Sequence, residues 1–269
     1  MSKIGQAIGE IHRMDALAAR DLWVNRLHPL AKLAVTVGYI ALVVSFHKYD
    51  FMGLAGMFIY PLALFLLCDL SVVDCFRRLW AVLPLLAFVG ALNPVFDKTL
   101  VRVGGIVLSA GWFSFATLLI KGVYTVLAAY LLVATTRVEA LCQALTDIHV
   151  PQVLVTQLLL TWRYITLLLQ EVDRVITAYT LRAPGQRGVH ISAWGSLAGQ
   201  LLLRSVDRAN AVYESMLLRG YGSPEAAAQP GQRAQAGDWI YVLVWAALLV
   251  LFRRVPVLWA VGNLLGGLF

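Results

Sequence analysis

Two places in this chain of 269 residues repeat a pattern of residue types suited to binding. In each, an arginine ends an apolar stretch of helical period and is followed by small or turn-forming residues. The two stretches are Leu181-Arg182-Ala183-Pro184-Gly185 and Leu218-Arg219-Gly220-Tyr221-Gly222. A glycine just past a helix end permits the left-handed turn that closes it. The arginine is then expected to project from the carbonyl end of its helix, free to enter a groove. Its planar guanidinium meets carboxylates or carbonyls with several bonds at once, which is recognition rather than bond-making chemistry. Two copies of the same ending suggest paired contacts.

The residues usual in catalysis lack the spacing they would need. There is no GxxxxGK[ST], so no P-loop for ATP is expected. His12, His28, His47, His149 and His190 never pair at i,i+3 or i,i+4, as a helix-borne metal site would require. Cys68, Cys75 and Cys142 form no CxxC pair and read as buried apolar thiols. Asp69 and Asp74 bracket a membrane boundary, where an acidic pair could serve a cation path but capping and interface solvation are the simpler reading. Asn93-Pro94 reads as a helix terminus. Ser45 and Ser109 have no plausible catalytic partners, and no nucleophile-elbow spacing occurs. No catalytic residue, cofactor or metal ligand is therefore expected, and the chain is expected not to be an enzyme.

The elements that must carry the two arginines lie in an unusually apolar chain. Hydrophobic residues make up 60% of it and charged residues 14%, against about half and about a quarter in soluble domains. Lipid is the natural place for that excess. The net charge of +7 then reads as cytoplasmic arginines near a membrane rather than a nucleic-acid surface. Residues 1–28 are polar, with Glu10, Asp15 and Asp21 among basic residues, and the stretch through Met14, Leu17 and Ala18 can lie along the interface. No apolar run precedes Pro29, so no cleavable leader is expected.

Residues 29–135 hold four apolar runs. Pro29–Phe46 and Phe51–Cys68 form a helical hairpin. Leu79–Val95 is broken by Pro84, a proline that a spanning helix tolerates when neighbours re-satisfy the freed carbonyl, and Trp112–Thr135 follows a loop over 96–111. Residues 136–238 form a cytoplasmic region with helices at about 152–182 and 196–219, an Ala183–Gly188 link and a flexible connector after Gly222. Residues 239–269 are a last apolar region, divided by Arg253, Arg254 and Pro256, either one span with an interfacial tail or a shallow hairpin. The fold expected is an all-α polytopic membrane protein, with about five transmembrane helices plus cytoplasmic amphipathic helices. A cytoplasmic N-terminus puts Lys3, Arg13, Arg20, Arg26, Lys32, Arg77, Arg78 and nine arginines from Arg137 to Arg233 inside. Only Lys48, Lys98 and Arg102 lie in outer loops, as the positive-inside rule favours.

At 100° per residue, Ile165, Leu168, Val172, Ile176 and Tyr179 share one face of the first cytoplasmic helix, with Arg163, Gln170, Arg174 and Thr177 opposite. On the second, Leu202, Val206, Ala209, Tyr213 and Met216 oppose Arg204, Arg208, Ser215 and Arg219. Such helices either lie on the membrane with arginines at the headgroups or dock onto a soluble partner.

Three stretches resemble the transmembrane T component of energy-coupling factor transporters, and within it the CbiQ proteins of cobalt and nickel uptake. Arg26-Leu27-His28-Pro29-Leu30-Ala31-Lys32-Leu33 resembles the family's Asp-Pro-Arg-x-Lys-Leu entry to its first helix, with His for Asp and Leu for Arg. Arg163-Tyr164 followed by Glu171 and Arg174 resembles its first coupling helix. Arg204 to Ala209, then Tyr213-Glu214 through Arg219-Gly220-Tyr221, resembles the second, ending in its Ala-Arg-Gly-type motif. The first motif departs from the family, having Arg182-Ala183 where Arg-Gly is usual. Leu17-Ala18-Ala19-Arg20-Asp21 is similar to the cobalt group's N-terminal region.

The resemblance implies a non-catalytic coupling subunit in a bacterial or archaeal plasma membrane. Arg182 and Arg219-Gly220, with Arg174 and Arg208 on the same helices, would contact two cytoplasmic ATP-binding-cassette ATPase subunits. A separate membrane subunit would capture the substrate, cobalt or nickel, and the lipid bilayer would surround the rest. The alternatives are the T component of a vitamin importer and a self-contained secondary transporter. The latter needs inverted repeats and ionisable residues at the midplane. Neither is found, and no ionisable residue sits deep in the first two spans.

Overall fold

The computed structural model describes residues 3–47, 50–68, 72–96, 100–103, 106–182, 185, 189–222 and 235–254. The described chain is helical apart from one short hairpin. It divides into two compact units: Met1–Leu17 with Val138–Arg233, and Ala18–Arg137 with Ala234–Phe269.

The second unit carries the apolar helices. After α2 (Trp23–Arg26) come α3 (Pro29–Ser45), α4 (Phe51–Gly56), α5 (Ile59–Cys68), α6 (Val72–Gly90), α7 (Leu92–Phe96), α8 (Ala110–Thr135) and α12 (Ala236–Arg254). Of these, α8 and α12 are long and apolar enough to cross a membrane by length and composition. The first three apolar runs give shorter apolar helical stretches, Pro29–Ser45, Gly53–Cys68 and Leu79–Pro94. Together they make the chain a multi-pass, all-α membrane protein.

Helix α3 is the spine of this unit. His28 caps its start, its Nδ1 accepting the Leu30 N–H at 3.3 Å, and Pro29 takes the first helical position. A proline suits that position because its N–H would be unused anyway. Val35, Tyr39 and Val43 of α3 pack with Tyr60 and Leu64 of α5, Tyr124 and Leu131 of α8, and Tyr241 and Trp245 of α12. Tyr39 stacks on Tyr60 at 4.4 Å, and Trp245 meets Tyr60 edge-on at 4.8 Å. At the far end of α3 the Val44, Ser45 and Phe46 carbonyls have no helical partners. Lys121 of α8 donates to Val44 and Phe46, Arg253 of α12 donates to Ser45, and the Arg253 guanidinium lies 4.1 Å above the Phe46 ring. Cations belong at the negative end of a helix.

Several sequence expectations are corrected. The second apolar run is not one helix: α4 and α5 are separated at Met57-Phe58. The break frees the Met57 carbonyl, and the Tyr39 hydroxyl donates to it at 3.0 Å, as a backbone group away from water requires. Pro84, by contrast, is tolerated as expected, since α6 runs through it. The third run's helix α6 ends at Gly90, and Asn93-Pro94 falls in the first turn of the five-residue α7. The loop over 96–111 contains an antiparallel pair, Leu100–Val103 with Ile106–Ser109 (β1 and β2). Lys32, read as a cytoplasmic charge, is 3% exposed inside this unit. Lys121 of the fourth run, which the sequence reading passed over, lies within α8, and carbonyls at the end of α3 engage its charge. The three cysteines are buried, as expected.

The first unit holds α1 (Lys3–Ala18, its last residue in the other unit), α9 (Val138–Asp147), α10 (Gln152–Arg182) and α11 (Ile191–Leu218). Burial in α9 pushes the Cys142 thiol above its ordinary pKa. His149 closes α9 in the left-handed region at φ 66°, the His149 and Val150 N–H groups returning to Thr146 and Leu145. The second cytoplasmic helix starts five residues earlier than expected, at Ile191 rather than about 196. His190 caps it through the Ser192 N–H, and the His190 N–H reaches the Tyr179 hydroxyl at 3.5 Å. The Ala183–Gly188 link apart from Gly185, the connector beyond Gly222, the division of 239–269 at Pro256, and Asp69 lie outside the described residues, as does the side chain of Asp74.

Candidate functional site

The two arginine-ended helices form the candidate site. Helix α10 places Arg182 as its last residue, exposed, and Gly185 follows at φ 101°. Helix α11 ends at Leu218, with Arg219 as its exposed cap residue at φ −92°, ψ 9°. Gly220 takes φ 83°. Its N–H bonds the Leu217 carbonyl at 3.0 Å, and the Tyr221 N–H bonds Met216 at 2.9 Å. These two bonds are the paired closure of a left-handed helix end. They satisfy carbonyls that would otherwise be open and turn the chain away immediately after Arg219. Gly222 repeats the left-handed geometry at φ 87°.

Between the two helices runs a groove of about 560 Å³. Leu160, Tyr164 and Leu168 line one wall, and Arg208, Tyr213 and Met216 the other. Of the apolar faces expected from helical periodicity, Ile165 and Leu168 meet Ala209, Tyr213 and Met216 across it, but they bury little. No residue of α11 is buried within the chain, and Val155 alone is buried among those of α10. Leu202, Leu203, Leu217 and Leu218 are 64%, 68%, 48% and 90% exposed. A fully buried leucine is favoured by about 1.5–3 kcal/mol over an exposed one, so this unit carries a large unburied apolar surface.

Glu171 holds the charged flank. It meets Arg174 on its own helix at 3.6 Å and Arg204 across the groove. Arg204 and Arg208 were expected on a face turned away from the apolar one. Instead Arg204 reaches α10, and Arg208 lines the groove beside Ala209. The long arginine stem allows this, bridging two helices from the flank of a groove. Arg163 and Glu214 stand exposed. The structure thus joins Glu171, Arg174 and Arg204, and leaves Arg182 and Arg219 exposed at their helix ends. Among the described residues, no three His, Cys, Asp or Glu side chains gather where they could hold a metal ion.

In the other unit, the family-signature stretch has a different setting. Pro29 is buried at the start of α3. Lys32 donates from Nζ to the Asn25 carbonyl at 3.1 Å and the Thr135 carbonyl at 2.9 Å. Asp238 accepts the His28 N–H and the Gln235 N–H, each at 2.7 Å. Nearby, Arg26 bonds both oxygens of Asp21 at 2.7 Å; that hydrogen bonding, with the added charge, holds the exposed Asp21 carboxyl below its ordinary pKa. Sequence reasoning missed Asn25, Lys121 and Asp238. The one available signal was an acidic residue immediately before an apolar run, which is where a helix start places a carboxylate.

Comparison with known proteins agrees with this architecture. A family model described as CbiQ, cobalt transport protein, matches residues 21–229, the greater part of the chain. No curated protein matches.

Proposed function

The chain belongs to the CbiQ family of cobalt transport proteins, and on that premise we propose that it is the coupling subunit of an ATP-driven, energy-coupling-factor-type importer. In this reading the chain hydrolyses nothing. Two cytoplasmic ATP-binding-cassette subunits take Arg182 and Arg219 into their grooves. Closure of those subunits displaces α10 and α11, and a separate membrane subunit that holds the cobalt or nickel ion reorients. The chain lies in a plasma membrane with its N-terminus and residues 136–238 on the cytoplasmic side.

The observation that carries this reading is the end of α11. The closed turn at Gly220 leaves Arg219 exposed beyond an apolar helix that its own unit does not bury. An exposed arginine contributes little to folding, so Arg219→Ala should leave insertion intact. Desolvated in a partner's groove, the same residue becomes an interface anchor, whose truncation costs about 2 kcal/mol or more. Arg219→Glu should abolish ATPase co-purification and uptake at matched expression, and Arg182→Glu should weaken both less severely. An Arg219→Glu protein that assembles and transports like its parent would refute the assignment.

One observation favours a second reading. Helix α10 is itself long and apolar enough to cross a membrane. Its charges at Arg163, Glu171, Asp173 and Arg174 argue for the cytoplasmic placement instead. In a cysteine-free background, Gln186→Cys and Lys98→Cys should react with an impermeant reagent from opposite sides. Labelling of Gln186→Cys from outside intact cells would favour a spanning α10.

A further inference from the structure

The chain passes between its two units three times: after Leu17, after Arg137 and after Arg233. Each connection is held, within three residues of its crossing, by a buried or half-buried polar group of the second unit. The Asn25 amide donates to the carbonyls of Ala18 at 3.4 Å and Arg20 at 2.9 Å, holding the first connection. Lys32 Nζ donates to the Thr135 carbonyl, holding the second, and to the carbonyl of Asn25 itself, which joins the second connection to the first. Asp238 accepts the Gln235 N–H, holding the third, and the His28 N–H, which joins the third to the start of α3. Asn25, His28 and Lys32 lie on one short stretch of chain entering α3, so the three connections share a single anchor.

Lys32 and Asp238 are 3% and 7% exposed. A buried lysine or aspartate is costly unless its hydrogen-bonding groups are occupied. Apolar side chains would hold helices together without that cost. What they would not do is fix the direction and spacing of three backbone segments, which charge-assisted bonds to carbonyls and N–H groups do. Beyond the connections lie residues 138–233, the stretch that carries Arg182 and Arg219.

We propose that Asn25, Lys32 and Asp238 form a knot that makes the three connections move as one, so that displacement of residues 138–233 enters the membrane helices at the start of α3. Lys32 and Asp238 are positioning residues for transport, acting through the backbone they hold. The role in transport rests on the coupling reading above; the knot itself does not.

The test has two arms. The first uses the purified full chain in detergent and measures amide hydrogen exchange. Lys32→Met should speed exchange by about tenfold or more at residues 22–28 and also at residues 235–238, to which Lys32 Nζ makes no hydrogen bond. Asp238→Asn keeps the side chain's size but loses one acceptor, and should do the same at residues 22–28 and at the end of α8. It also serves if Lys32→Met fails to fold. Exchange that rises only beside the substituted residue, or not at all, overturns the knot. The second arm uses the complex with its ATPases. Both variants should assemble and hydrolyse ATP, while ion uptake per ATP falls by about tenfold. Unchanged uptake per ATP overturns the role in transport. If no ATPase accompanies the parent chain, the coupling reading fails, and the exchange arm still decides the knot.

Discussion

Substituting Gly220 separates the backbone's part in the α11 ending from that of the arginine. At φ 83° the residue sits where an L side chain crowds the following carbonyl, a cost of about 1–2 kcal/mol. Replacing glycine restricts the unfolded chain as well, which returns about 0.4–1 kcal/mol. Gly220→Ala should therefore destabilise the chain by about 0.5–1 kcal/mol. Gly220→Asn should cost less, because asparagine tolerates the left-handed region, and Gly220→Val more, because a β-branched residue there is a steric outlier. An upper bound follows if the turn opens rather than strains. The bonds from Gly220 to Leu217 and from Tyr221 to Met216 would both be lost, at about 0.5–1.5 kcal/mol each. Thermal unfolding in detergent reads this series as melting temperatures falling in the order Gly, Asn, Ala, Val. ATPase co-purification should fall in the same order, since the turn sets where Arg219 points. Equal stability for Asn and Val would refute the conformational argument. Normal assembly of a destabilised Gly220→Val protein would show that the partner does not read the direction of Arg219.

Two further substitutions test the architecture. His149 holds a left-handed conformation without being glycine, so His149→Gly should raise stability by up to about 1 kcal/mol and His149→Val should lower it, both read as melting shifts in detergent. Tyr39→Phe removes the donor to the Met57 carbonyl at the α4–α5 break and should cost about 1–3 kcal/mol, whereas unchanged stability would mean the break finds another donor.

Class and helix ends were legible because both are local. Composition alone requires lipid, since this much apolar surface has no other home. The glycines after Arg219 announce a left-handed closure, and Gly220 adopts it with two closing bonds. Pro29 marks the start of α3 for an equally local reason: its ring pre-sets the first turn. Periodicity likewise brings Leu168, Tyr213 and Met216 to one groove.

What only the tertiary structure decided is which polar groups meet. Arg204 looked outward on its own helix and reaches Glu171 on another. Lys121 lay unremarked in an apolar run until the end of α3 brought it open carbonyls. Lys32 read as one more cytoplasmic charge, and Asp238 as the edge of a connector. Asp238 meets its partner His28 across 210 residues of sequence. Helical period repeats every few residues and is written in neighbouring side chains. A buried lysine or aspartate is intelligible only from the carbonyls and N–H groups around it, and packing distant helices together is what supplies them.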